Sequence, residues 1–378
     1  MQKPRRSHYD AVVIGAGLIG LACAWRARRL GMSVLVVERE DAPGAATSAV
    51  AAGMLAPVPE ADFGEEAALR LNLLARERWP AFAAELEELT GLPTGFRETG
   101  TLIVAADRDD AEALHRLHDL HRSLGLPAEW LTPSRCRELE PALSPRVGGG
   151  ILASQDAQAE PAALARALAA GCEEIVLGQG VAAIEQDGGR VSGVRLADGA
   201  VLECDHVVVA AGPWSAALAP EGAGPPVRPV KGQILELRAR GGASLPFRRM
   251  IRTPRCYLVG RRDGSAVLGA TVEEQGFDAT VTADGVFRLL EAAWEVLPEV
   301  GELELVAARA GLRPATPDNL PLIGPDELDG LIWATGHWRG GVLLAPLTGE
   351  AVAALLAGDP PPAELDACSP ARFARAHA

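Results

Sequence analysis

The residues Gly15-Ala16-Gly17-Leu18-Ile19-Gly20 set three glycines at the spacing GxGxxG. That spacing lets a chain turn tightly out of a strand, bring its backbone against a pyrophosphate and start a helix close to the sheet. Phosphate is favoured there because the free N–H groups and the dipole of a helix N-terminus attract anions. Glu38 stands 18 residues beyond Gly20, where a carboxylate accepts hydrogen bonds from both ribose hydroxyls and repels a 2′-phosphate. The chemistry is dinucleotide binding with NADP disfavoured, and the motif alone leaves FAD and NAD both open. A second segment, Thr47-Ser48-Ala49-Val50-Ala51-Ala52-Gly53-Met54, offers small residues that let backbone run beside a flat ring. The hydroxyls of Thr47 and Ser48 are within reach of a phosphate.

The elements that must hold these residues follow from hydrophobic periodicity. Tyr9 to Gly15 and Ser33 to Glu38 are short apolar runs of the kind buried in parallel sheets, and Leu18 to Leu30 carries helical spacing that stops at Gly31. Together they make a βαβ unit, right-handed by rule. Helical spacing returns over 65–89, 110–124, 284–297 and 342–356, and 49–54 reads as a short helical start. Strand-like runs fall at 99–105, 206–211, 304–312 and 331–334, with three more between 229 and 270. Asp187-Gly188-Gly189 and Asp198-Gly199 are hairpin-type turn signals.

The buried α/β strands lie at the start, middle and end of the chain, with antiparallel-looking material between. The expected fold is therefore α/β with two domains. A Rossmann-like domain of residues 1–92, 148–226 and 306–378 carries an inserted, mainly antiparallel substrate domain of residues 93–147 and 227–305.

Composition narrows the class. Hydrophobic residues at 48% and charged residues at 23% suit a globular protein of 378 residues with two cores. A formal charge of −14 argues against nucleic acid or an anionic membrane as partner. No apolar run reaches a membrane span, and the basic start MQKPRRSHYD leads straight into a strand, so a cytoplasmic location is expected. The six cysteines (Cys23, Cys136, Cys172, Cys204, Cys256, Cys368) form no CxxC pair and no zinc spacing; they are expected to be reduced and buried, with no metal site. Lys3 and Lys231 are the only lysines, so arginine supplies nearly all the positive charge and an arginine carries weight only within a motif.

Five segments taken jointly resemble the D-amino acid oxidase superfamily, and within it the glycine oxidases of thiamine biosynthesis. They are GAGLIG with Glu38, TSAVAAGML, the Gly212-Pro213-Trp214 turn after a buried strand, GLRPATPDNLPLIG (311–324) and TGHWRGGVLLAP (335–346). The resemblance runs from residue 9 to about residue 350. It implies FAD, held non-covalently, and oxidative deamination of glycine or a similar small amino acid, with oxygen as second substrate and hydrogen peroxide as product. It also implies a homo-oligomer, dimer or tetramer. In that family hydride leaves the Cα of a neutral amine, and positioning replaces a side-chain base.

Carried over position by position, the resemblance assigns Arg313 to the substrate carboxylate, a task suited to a planar guanidinium fork. Tyr257 would turn its hydroxyl to the same carboxylate, and Arg339 would lie near the flavin. Met54 would line the substrate pocket, and Val272 stands where the family has a methionine, which would widen it. Arg255 stands where histidine is expected. The cofactor would rest on Gly15, Gly17, Leu18, Ile19 and Gly20, then on Glu38 and Arg39. Further contacts would come from Thr47, Ser48, Ala52, Gly53 and Met54, and from Val181 and Gly212. Gly336, Gly340 and Gly341 would bring backbone N–H groups to the pyrimidine edge of the flavin, with His337, Trp338, Arg339 and Val342 in the same turn. His337 and Trp338 read as packing groups.

Other chemistries stay open at this point. They are oxidation of sarcosine, proline or a D-amino acid, a dehydrogenase passing electrons to a quinone, an NAD-linked dehydrogenase sharing only the βαβ unit, and a flavin-binding protein without turnover.

Overall fold

The computed structural model describes residues 4–219 and 224–373; Lys3 and the outermost ends of the expected domain bounds lie outside the described residues. Two eight-stranded sheets organise the chain, with a small three-stranded sheet between segments of both. The first sheet has a parallel centre in which His8–Ile14 lies between Val34–Val37 and Val201–Val209. Glu174–Val176 joins beyond Val34–Val37, and Leu331–Thr335 joins on the other side of Val201–Val209.

Alternation along the central strand feeds two cores. Ala11 and Val13 face the helices Leu18–Arg29, Pro161–Gly171 and Ala345–Leu356, while Tyr9, Val12 and Ile14 face the hairpin side. The 25-residue helix Glu66–Thr90 closes the helical face, where Trp79 and Trp25 each meet the ring of Phe82 edge-on at 5.3 and 5.2 Å. Full burial of one such aromatic contributes about 2–3 kcal/mol, so this trio is a principal anchor of the layer. Trp79 Nε1 also donates to the Leu343 carbonyl at 2.9 Å, which fixes the loop entering the last helix.

The second sheet runs in the order Glu304–Ala315, Arg228–Arg238, Ser265–Gly269, Tyr257–Gly260, Met250–Arg252, Thr101–Val104, Gly150–Ala153, Glu129–Leu131. Only the pairing of Met250–Arg252 with Thr101–Val104 is parallel. Helix Ala283–Val296 covers one face with Leu289, Ala292, Ala293 and Val296. The architecture is the mixed α/β one expected.

Several elements differ from the sequence reading. Glu304–Ala315 does not return to the first sheet; it pairs along its length with Arg228–Arg238 in the second. Gly150–Ala153 likewise pairs in the second sheet. The helix Pro161–Gly171 was not anticipated, because its exposed face is Ala162, Arg166 and Ala170, and a single arginine among alanines makes no polar stripe to mark its period. Val201–Val209 is one unbroken strand. Its residues 201–203 pair antiparallel with the hairpin and 207–209 pair parallel with Leu331–Trp333, so the change of partner had read as a gap. Among the described residues no helix is long and apolar enough to cross a membrane, and all six cysteines are free and buried.

Candidate active site

A cavity of about 950 Å³ runs from the N-terminus of helix Leu18–Arg29 to the face of the second sheet. At its first end Gly15 has a φ of +107°, and a Cβ there would lie 2.6 Å from the Ala210 carbonyl oxygen, so this turn admits only glycine. Gly17 opens into the cavity, its nearest neighbour in the Cβ direction being Ser48 Oγ at 3.5 Å. The first turn of the helix has no acidic residue, which leaves it receptive to phosphate. Ser48 Oγ accepts from the Leu18 N–H at 3.2 Å. Glu38 closes this end, accepting from the N–H groups of Ala16 at 2.6 Å and Glu40 at 2.9 Å. Arg39 lies over the ring of Trp214 at 3.7 Å, beside Gly212 and Val181. Bare backbone, a helix N-terminus and a carboxylate at the end of the second strand suit a dinucleotide's pyrophosphate and sugar.

The middle of the cavity is formed by Ala52, Gly53 and Met54 facing His337 to Val342. Arg261, half-buried, donates to the carbonyls of Ala52 and Ala159 and to Gln158, which fixes the Met54 strand. Burial lowers the Arg261 pKa to about 10, and the group remains charged. His337 is buried, with Nε2 2.9 Å from Thr348 Oγ1, and desolvation lowers its pKa to about 3. It is a neutral packing group. Trp338 takes a φ of +48°, and its N–H reaches the Pro314 carbonyl at 2.8 Å, tying this turn to the Arg313 strand.

Four adjacent strands build the far end. Arg313 on the outermost strand leans over Gly232 of its neighbour, where a Cβ would lie 2.4 Å from Arg313 Nη2. Tyr257, two strands further on, covers Gly269, where a Cβ would lie 2.5 Å from the Tyr257 hydroxyl. The two inner strands thus supply glycines so that the two outer ones can converge their polar ends. Arg313 Nη1 is held by the carbonyls of Thr271 (3.1 Å) and Lys231 (3.4 Å). Desolvation lowers the Arg313 pKa. Desolvation also raises that of Tyr257 against the opposing pull of Arg313, so the phenol keeps its proton.

Most of the anticipated residues meet on this one cavity, from Gly15, Leu18 and Ile19 through Thr47 and Met54 to Tyr257, Val272, Arg313, Arg339 and Val342. Gly20 and Gly336 do not line it. Gly20 serves close packing, its Cβ position falling 2.0 Å from the Gly15 carbonyl oxygen, and Gly336 turns the chain at φ +72° against Thr316. Thr47 differs from expectation in role: its hydroxyl donates to the Leu312 carbonyl at 2.8 Å, so its proton ties the loop to the Arg313 strand rather than facing phosphate. Arg255 pairs with Glu295 at the rim.

Two lining residues, Glu60 and Arg252, had no signal in the sequence. Arg252 and Arg339 both bond the carboxylate of Glu60, the latter at 3.4 Å. Burial works to raise the Glu60 pKa, but the two arginines outweigh it and hold the group below the ordinary glutamate value.

The sequence matches the FAD dependent oxidoreductase family over residues 10–355. The chain belongs to that family. This FAD-dependent oxidoreductase is 34% identical to a glycine oxidase of Geobacillus kaustophilus over 92% of its own length and 93% of that protein. The crystal structure of glycine oxidase from the same organism superposes with a TM-score of 0.89 at 32% identity, covering 97% of this chain and all of that one. A bifunctional protein ThiO/ThiG of Trichormus variabilis is 37% identical over 91% of this chain, which spans about half, 52%, of that longer relative. The cofactor of the family is FAD, and the first end of the cavity has the features to hold its pyrophosphate and ribose.

Proposed function

We propose that this enzyme oxidises glycine and similarly small amino acids to the imino acid, which yields the 2-oxo acid on hydrolysis, with oxygen reduced to hydrogen peroxide. The convergence of Arg313 and Tyr257 at the end of the cavity opposite the phosphate-binding turn carries this reading. The likeness to glycine oxidases over nearly the whole chain supports it, as does the likeness to the ThiO/ThiG protein for a role in supplying the imine to thiamine thiazole synthesis.

In this mechanism Arg313 binds the substrate carboxylate, with Nη1 already anchored by two carbonyls so that the fork is oriented before substrate arrives. Tyr257, kept protonated by burial, donates a second hydrogen bond to the same group. FAD, resting on the Gly15–Gly20 turn and beside Glu38, would supply a hydride acceptor that oxygen can reoxidise. The Arg313 guanidinium disfavours another positive charge nearby, which drives the substrate ammonium toward its reactive neutral form. No carboxylate has to act as base, since Glu60 is engaged by two arginines. Met54 and Trp338 wall the cavity between the two ends. A second reading, preference for sarcosine, proline or a D-amino acid, is favoured by Val272, which is 53% exposed at the cavity edge and leaves room beside the amine.

The test is the visible spectrum of the purified protein under anaerobic conditions. Glycine should bleach the flavin bands, and admitted oxygen should restore them with peroxide formed. Bleaching by sarcosine, proline or D-alanine but not glycine moves the substrate to the second reading. A flavin left oxidised by all four overturns both.

A further inference from the structure

The cavity wall carries an ion-pair bridge that the reaction as described does not use. Glu60 ends the short helical turn Val58–Glu60. One of its oxygens takes Arg252, on the strand position opposite Tyr257, and the other takes Arg339 from the loop after Gly336. The three side chains are 27%, 20% and 44% exposed respectively, so each guanidinium is open to the cavity yet already paired. Arg313 differs from these two: it contacts the carbonyls of Lys231 and Thr271 and the Tyr257 hydroxyl, and no carboxylate pairs with it among the described residues. At this end of the cavity Arg313 is therefore open to a ligand carboxylate, while Arg252 and Arg339 are claimed by the carboxylate of Glu60.

We propose that Glu60 is a specificity-determining residue that restricts the pocket to amino acids with a single carboxylate. It does so by occupying the Arg252 and Arg339 donors that a second acidic group of the ligand would otherwise engage. The inference rests on the reading of Arg313 as the carboxylate receptor. A dicarboxylic ligand reaching from Arg313 toward Arg252 meets a carboxylate in the wild-type wall. With an uncharged isostere at position 60 it meets two unpaired guanidinium groups. Opposite charges at such separations in a partly buried site change affinity by roughly tenfold or more.

The experiment measures binding of two unreactive acids, acetate and malonate, to the FAD-loaded protein by calorimetry, with flavin absorbance as a second readout. Glu60→Gln should tighten malonate at least about tenfold more than it tightens acetate. Equal changes for the two acids, or no change, overturn the proposal, because a merely structural role would not separate them. Should Glu60→Gln lose its flavin, Arg252→Met decides. It leaves the Glu60 carboxylate with Arg339 alone, so its less compensated charge should weaken malonate relative to acetate, and an unchanged ratio overturns the proposal. Wild-type protein that binds neither acid, or Arg313→Ala that binds acetate as tightly as wild type, overturns the carboxylate reading and this inference with it.

Discussion

Tyr257 stands opposite Gly269 in an antiparallel pair, and its hydroxyl lies 2.5 Å from where a Cβ on Gly269 would be. The bare glycine is what lets the phenol lie across the sheet toward Arg313. Gly269→Ala should push the ring out of place. The expected outcome is KM for glycine raised about tenfold, with FAD content unchanged and kcat altered less, measured by steady-state kinetics on protein of known flavin content. An unchanged KM would remove Tyr257 from the substrate end.

Arg313→Ala deletes the proposed carboxylate receptor while leaving the Gly15–Gly20 turn intact. Loss of one partner of a desolvated charge pair costs several kcal/mol, so KM for glycine should rise by roughly two to three orders of magnitude. The purified variant should still be yellow. A colourless variant would mean that Arg313 supports the cofactor end instead.

Val272 sits half-exposed at the cavity edge. Val272→Met should fill that space and penalise bulkier amines. The ratio of kcat/KM for glycine over sarcosine should rise by about tenfold, the range one or two methylene groups supply in an apolar pocket. A ratio that falls or stays level would place the substrate's amino side elsewhere.

Asp156 is buried, its Oδ2 has no protein partner, and desolvation raises its pKa to about 7. The folded protein thus holds a proton that the unfolded chain, near the ordinary aspartate value, has released. The unfolded state binds fewer protons between those two values, so stability falls as pH rises from about 4 through about 7. Asp156→Asn should raise Tm at pH 8 by at least about 2 °C and change it little near pH 4, as scanning calorimetry at both pH values would show. An equal shift at both would deny the titration.

What was legible in the sequence was what is local or tied to a motif. The Gly15 turn, helix Leu18–Arg29 and Glu38 lie within one continuous unit, and their spacing alone predicts how they meet. Arg313 and Arg339 were picked out only because glycine- and proline-rich signatures flank them. Glu60 and Arg252 were not, since each is an ordinary charge in its own neighbourhood and they meet across 192 positions of chain. The glycines at 232 and 269 were equally silent: their purpose is set by side chains on other strands. Thr47 misled for the same reason, because the carbonyl that claims its proton belongs to Leu312. Sequence spacing does not report which strands become neighbours, and at this site the strand order decides the chemistry.

The central strand of the first sheet has a temporal consequence. Ile14 sits beside Val209, roughly 195 positions later in the chain. At ordinary translation rates of about 5–20 residues per second, His8–Ile14 waits on the order of 10–40 s for that neighbour to emerge. Its other neighbour, Val34–Val37, is available almost at once, so a small βαβ seed exists long before the sheet does, each edge raw until Glu174–Val176 and Val201–Val209 emerge. Contacts of such high sequence separation are slow to form, and the exposed edges of that seed are where a nascent chain of this enzyme is most open to mispairing and to capture by a chaperone.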